Sequence, residues 1–133
     1  MSKCVLDVCS LIAFLNDEKG ADIVEFVLNN EISFIHPVNL YEVFYDYKKR
    51  NNDSKMHKLF YNKIIELPFK IDYNMNYSLL NEASYFKVNY NISLADSFAL
   101  ALSKVHNASL VTSDHHEFDD IDEKEDIVFK WIR

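Results

Sequence analysis

The sequence predicts an α/β domain with a mainly parallel central sheet covered by helices on both faces. Three observations carry that expectation. Short apolar runs at 3–8, 32–35 and 109–112 have the length of strands. The stretches between them repeat apolar residues at three- and four-residue intervals, as helices do. The two kinds of segment alternate along the chain, an order that favours parallel pairing through helical crossovers.

The run Lys3-Cys4-Val5-Leu6-Asp7-Val8 reads as a first buried strand, after which Leu11, Ile12 and Leu15 begin a helical pattern. Gly20 breaks the chain, and Ala21, Val24 and Leu28, with Ile23 and Val27 beside them, mark a second helix before the strand 32–35. Pro37 suits the first position of a helix, because its missing N–H would be unpaired there anyway. That helix carries Val38, Tyr41, Phe44 and Tyr45 and ends on Lys48-Lys49-Arg50, cations that complement a helix C-terminus. Met56, Leu59, Phe60, Lys63 and Ile64 form the next helix, 67–71 a short strand, and Met75, Leu79, Ala83 and Phe86 a further helix. Ser93 is a candidate N-cap for a helix with Leu94, Phe98, Ala101 and Val105 on one face. Strands at 109–112 and 127–132 close the chain. With one glycine and two prolines in 133 residues, the turns fall to asparagine and aspartate: Asn29-Asn30, Asn51-Asn52-Asp53, Asn89, Asn91 and Asn107. No repeat or linker divides the chain, so residues 1–133 are expected to form a single domain.

A net charge of −7 opposes non-specific attraction to nucleic acid or an anionic membrane. Several carboxylates gathered on a divalent ion would remove part of that objection. Cys4 and Cys9 are too few and too close together for a disulfide framework, so buried reduced thiols are expected. No apolar run reaches membrane-spanning length and no signal-peptide pattern is visible, which makes the cytoplasm the default location.

Four acids fall where an open α/β sheet builds its ligand site, beyond the carboxyl ends of the strands. Asp7 ends the first strand, Asp114 follows Leu110-Val111-Thr112, Asp96 lies in the first turn after Ser93, and Glu42 lies early in the helix opened by Pro37. Hard oxygen ligands suit Mg²⁺ or Mn²⁺, and such an ion lowers the pKa of water for attack on phosphorus. Other readings stand beside this one. Ser93-Leu94-Ala95-Asp96 has the form of a capping box, Asp114 could be a turn residue, and Glu42 an exposed helical charge. Asp7 differs, because a carboxylate between Val5-Leu6 and Val8-Cys9 is expected to be buried, where it needs a partner.

The segments Val5-Leu6-Asp7-Val8-Cys9-Ser10, Val38-Asn39-Leu40-Tyr41-Glu42-Val43, Leu94-Ala95-Asp96-Ser97-Phe98-Ala99-Leu100-Ala101 and Leu110-Val111-Thr112-Ser113-Asp114-His115-His116-Glu117-Phe118 resemble PIN-domain proteins, VapC toxins in particular, in order and spacing over nearly the whole chain. The resemblance implies a three-layer α/β/α domain that binds Mg²⁺ or Mn²⁺ through Asp7, Glu42, Asp96 and Asp114. It implies an endoribonuclease acting on structured RNA such as tRNA, a cognate antitoxin protein as partner, and a homodimer. A PIN nuclease of constitutive RNA processing and a noncatalytic PIN-like binding or scaffold domain are the alternatives. The chain departs from a basic RNA-binding surface except at Lys48, Lys49, Arg50, Lys55, Lys58 and Lys63.

Around the acids, Ser10, Asn39 and Thr112 are candidates to order ligands or waters, with turn and capping roles open for Ser10 and Thr112. His115 and His116 are read as residues of a polar turn, unsuited to share one metal. Asp119, Asp120, Asp122, Glu123, Glu125 and Asp126 are read as a solvated charge run, although Asp119 could extend the acidic cluster. Tyr41, Phe44, Tyr45 and Tyr47 are read as core or dimer interface, with base stacking as the alternative.

Overall fold

The computed structural model describes residues 1–133. Five strands and seven helices follow one another as β1 (Lys3–Leu6), α1 (Val8–Leu15), α2 (Ala21–Asn30), β2 (Ile32–Ile35), α3 (Pro37–Arg50), α4 (Ser54–Ile65), β3 (Lys70–Ile71), α5 (Tyr77–Asn89), α6 (Leu94–His106), β4 (Ser109–Thr112), α7 (His115–Lys124) and β5 (Phe129–Trp131). The sheet order is β3-β2-β1-β4-β5, and every pairing is parallel. The three-layer α/β/α expectation holds, and the sheet is wholly rather than mainly parallel.

Alternation along the strands builds two cores from one sheet. Val5 and Leu110 face a cluster with Leu79, Phe86, Leu100 and Leu102 of α5 and α6. Their neighbours Cys4, Leu6 and Val111 face the other way, onto Val24, Val27 and Leu28 of α2. A smaller cluster of Leu11, Ile35, Val43 and Ile64 ties α1 and β2 to α3 and α4.

Several boundaries differ from the sequence expectation. β1 stops at Leu6, because Asp7 caps α1: its carboxylate accepts from Ser10 N while the Ser10 hydroxyl accepts from Asp7 N, a complete capping box. The outer strands shrink to Lys70–Ile71 and Phe129–Trp131. The largest difference is α7. Residues read as a polar turn and a solvated charge run form a helix, anchored by buried Phe118 and Ile121 one turn apart. Its acids do line the exposed face, so the charge reading was right about exposure and wrong about backbone. Pro37 and Ser93 perform the helix-start roles their positions predict, with His36 Nδ1 accepting from Val38 N ahead of Pro37.

Gly20 is a required glycine. Its φ is +97°, and a Cβ there would come within 2.6 Å of the Ile132 carbonyl oxygen. No helix is long and apolar enough to cross a membrane.

Candidate active site

Between β1 and β4 the chain direction of the crossovers reverses, since β2 and β3 build outward on one side of β1 while β4 and β5 build on the other. That switch point opens a crevice at the carboxyl ends of the two strands. Asp7 follows β1 directly, Asp114 lies two residues past β4, and α6 begins at the same edge with Asp96 in its first turn.

The three helices that start here, α1, α6 and α7, bring their N-termini with them. Each N-terminus carries unpaired N–H groups and a partial positive charge, which favours anionic side chains or ligands nearby. Asp7 Oδ1 accepts from Ser10 N at 2.8 Å, and Asp114 Oδ1 accepts from Glu117 N at 3.1 Å. At α6 the Ser93 hydroxyl does the capping alone, accepting from Asp96 N at 3.1 Å. The Asp96 carboxylate makes no return bond to the Ser93 backbone. The capping-box alternative for Asp96 is therefore not what the fold builds, and its carboxylate, eased only by the Ser93 side chain, has no cationic partner.

Carboxylate oxygens of Asp96, Asp114 and Glu117 lie within 4.8 Å of one another. Asp7 sits behind them, wholly buried. The Thr112 hydroxyl joins the groups: it donates to Asp7 Oδ2 and accepts from Asp114 N at 3.0 Å. Thr112 thus has a positioning role, and Ser10 a capping one.

For the two buried members, Asp7 and Asp96, loss of water disfavours ionisation. Burial, opposed by the Thr112 and Ser10 hydrogen bonds, raises the Asp7 pKa to about 6. Burial together with the Asp7 charge raises that of Asp96 to about 7. None of the six ion pairs in the molecule involves Asp7, Glu42, Asp96, Asp114 or Glu117. A dense carboxylate group with no protein cation is chemically suited to a hard divalent ion, so the donors fit Mg²⁺ or Mn²⁺.

Of the four acids expected from sequence, Asp96 and Asp114 meet in the cluster and Asp7 lies against it. Glu42 is half-buried in the second turn of α3, outside the three-carboxylate group. Asn39, one turn before Glu42 on the same helical face, is fully buried with both side-chain polar atoms unpaired. Such orphaned groups are rare and call for a bound partner or water.

Sequence reasoning leaves Glu117 out. Its signal was present: Asp114 and Glu117 have capping-box spacing, and Phe118 and Ile121 have helical spacing. The acidic run around them hid both. Of the two histidines, His116 is exposed, and both His115 ring nitrogens are engaged, Nδ1 with Asp119 at 2.8 Å and Nε2 with the Arg133 carbonyl at 2.8 Å. Asp119 is thereby committed to His115.

Fold and site together define a parallel α/β domain with an acidic crevice at its switch point. Residues 4–124 match the family model of the PIN domain, and the chain belongs to that family. No curated protein sequence matches the chain. Among solved structures it is similar to DNA-bound VapBC from Salmonella typhimurium, at 16% identity over 100% of both chains with a TM-score of 0.75. VapBC-1 from nontypeable Haemophilus influenzae is similar at 16% identity, 98% of each chain and a TM-score of 0.73. VapC20 of Mycobacterium tuberculosis, a "Sarcin-Ricin loop cleaving toxin", is similar at 11% identity over 82% of this chain and 86% of that one, with a TM-score of 0.61.

Proposed function

We propose that the protein is a divalent-metal-dependent endoribonuclease and the toxin of a VapBC-type pair, held inactive by a cognate antitoxin. The observation that carries this reading is the uncompensated cluster of Asp96, Asp114 and Glu117, backed by buried Asp7 at the sheet's switch point.

Asp7, Asp96, Asp114 and Glu117 are the residues that would hold Mg²⁺ or Mn²⁺, with Glu42, one turn after Asn39 on α3, as the further acid expected from the sequence. When bound, the ion supplies positive charge for the scissile phosphate and a water of lowered pKa. The chain's own part is positional. The Thr112 hydroxyl fixes Asp7 relative to Asp114, and the N-termini of α1, α6 and α7 make the edge favourable to anions.

Hydrolysis, rather than attack by a protein nucleophile, follows from what surrounds the acids. Burial pushes the Cys4 thiol up to about 11, and burial with the nearby acids pushes Cys9 up to about 12, so neither is a thiolate at neutral pH. The Ser10 hydroxyl is committed to the backbone of Asp7 in both directions. Water attack on phosphorus with departure of the 3′ oxygen, which takes up a proton, leaves 5′-phosphate and 3′-hydroxyl ends. The RNA class is structured RNA such as tRNA, in line with VapC20 being a sarcin–ricin loop cleaving toxin. An antitoxin segment presenting Arg or Lys to the carboxylates would neutralise the cluster and block substrate. Homodimerisation and a cytoplasmic setting belong to the same reading.

The test is cleavage mapping on total RNA by the purified chain, alone and with the product of the adjacent gene. Cuts that need Mg²⁺ or Mn²⁺, carry 5′-phosphates and vanish with the neighbouring product are expected. Specific cutting that persists undiminished in chelator would sink the metal chemistry.

A further inference from the structure

The acids that would hold a metal do nothing to attract a polyanion, and the chain as a whole is negative. One region runs against that trend. Residues 48–63 hold six of the fourteen basic residues and one of the twenty-one acidic ones, a local charge of +5 in a chain of net −7. They span the end of α3 and most of α4, and Lys48, Lys49, Lys55 and Lys58 are all exposed.

The aromatic residues of α3 divide into two sets. Phe44 and Tyr47 turn inward against α4: Phe44 meets the Phe60 ring edge-on at 5.4 Å, and Tyr47 stacks on the same ring at 3.9 Å. Tyr41 and Tyr45 take no part in that packing and are 64% and 49% exposed, whereas Val43 between them is 1% exposed. They lie one turn apart on one face, with ring planes 15° from parallel and centroids 6.5 Å apart. Lys49 continues the row by one more turn, its Nζ 5.2 Å from the Tyr45 centroid. Across on α4, Lys58 Nζ sits 5.0 Å over the Tyr61 ring.

Two exposed rings in a row that ends on a cation, with a second cation–ring pair on the neighbouring helix, match a nucleic-acid strand, whose bases stack and whose phosphates repeat beside them. The row also starts at the correct end. α3 begins at the carboxyl edge of β2, beside the acids, and runs outward for about 21 Å. Resting on the ribonuclease reading above, we propose that this arm is a single-stranded RNA platform: Tyr41 and Tyr45 stack bases, and Lys48, Lys49 and Lys58 hold phosphates of the strand that enters the acidic site. An interface with another copy of the chain lacks this motive, because it would set the local charge of +5 against the same charge on the other copy.

Binding is separable from cleavage by working in EDTA. The experiment is fluorescence anisotropy with a labelled oligouridylate of about 12 nucleotides, over a salt series, on the full chain. The Tyr41→Ala/Tyr45→Ala variant is expected to bind roughly 10- to 100-fold more weakly, and Tyr41→Phe/Tyr45→Phe to stay within about twofold of the parent. Replacing Lys48, Lys49 and Lys58 by Gln should make the slope of log affinity against log salt shallower by about 2. Circular dichroism and sedimentation velocity on the same variants report fold and assembly.

Unchanged affinity and slope in folded variants, or no binding by the parent, overturns the platform. So does a Tyr variant that dissociates a dimer while keeping its RNA affinity, which would make the face a contact between copies. The two readings fail separately. Ring- and lysine-dependent binding without any Mg²⁺-dependent cleavage keeps the platform and removes the nuclease chemistry; Mg²⁺-dependent cleavage by variants with parental affinity does the reverse.

Discussion

The acidic edge of the sheet and the basic arm of α3 and α4 are opposites in more than sign. The acids arrive from three separated segments, at Asp7, Asp96 and the Asp114–Glu117 turn of α7, with Asp7 and Asp96 buried, Asp114 and Glu117 partly so, and no cation paired with any of them. The cations come from one stretch of sequence, stand in solvent, and are relieved locally, as where Arg50 pairs with Asp46 at 2.5 Å. In the first region burial and a neighbouring carboxylate disfavour the charges of Asp7 and Asp96, and a cation would offset them. In the second, water and salt screen most of the repulsion. Single substitutions should therefore act strongly at the edge and weakly on the solvated surface.

The largest effect is expected for Asp96→Asn. Removing one metal-site charge should lower RNA cleavage by roughly 100-fold or more. Stability should move the other way. The Asp96 pKa rises on folding from 3.8 to about 7, so the folded state keeps a proton that the unfolded chain releases. The associated stability is complete below about pH 4 and is lost as pH rises through about 7. In metal-free buffer at pH 8 the variant should melt about 4 °C or more above the parent, and at pH 4 the two should coincide. A variant that cleaves normally would dissolve the contrast between the regions.

Metal should sharpen it next. Mg²⁺ at 100 times its Kd stabilises a protein by about 2.7 kcal/mol. The gain in Tm should be larger at pH 8 than at pH 5.5, because protons must leave Asp7, whose pKa is about 6, and Asp96, at about 7, before the ion binds. Calorimetry across that range should register proton release. A Tm indifferent to Mg²⁺ at pH 8 would rule out the cluster as a metal site.

Thr112→Val is expected to be intermediate. It deletes the hydroxyl shared by Asp7 and Asp114 N, at a cost of about 1–3 kcal/mol in urea denaturation. Loss of that donor raises the Asp7 pKa further, so the penalty should be greater at pH 8 than at pH 5. An equal penalty at both would mean that the hydroxyl supports packing, not the Asp7 charge.

The smallest effect belongs to Asp119→Asn, on the solvated face of α7. Its contact with His115, with both side chains about half-exposed or more, should shift Tm by less than about 1 °C and leave cleavage unchanged. The His115 pKa, raised mainly by that contact, should fall toward its ordinary value in an NMR titration.

Much of this was legible before any coordinates. Apolar runs marked β1, β2 and β4, and Pro37 and Ser93 marked helix starts, because strand burial and N-terminal geometry impose local residue choices. The same logic singled out Asp7, a charge in a stretch otherwise fit only for burial. It failed at α7, where the two buried residues that hold the helix, Phe118 and Ile121, are outnumbered by acids serving only its wet face. Glu117 was lost with it.

Other matters had no local answer. Ser93-Leu94-Ala95-Asp96 satisfies a capping box as well as a metal site, and only the folded chain, in which the Ser93 hydroxyl caps α6 alone, frees the Asp96 carboxylate. The sequence by itself determined which segments become strands and helices and which residue types stand at their ends. The tertiary structure decided which of those ends meet, because the reversal of strand order between β1 and β4 brings Asp7, Asp96, Asp114 and Glu117 together. The burial and neighbouring charge that perturb Asp7 and Asp96 exist only after that meeting.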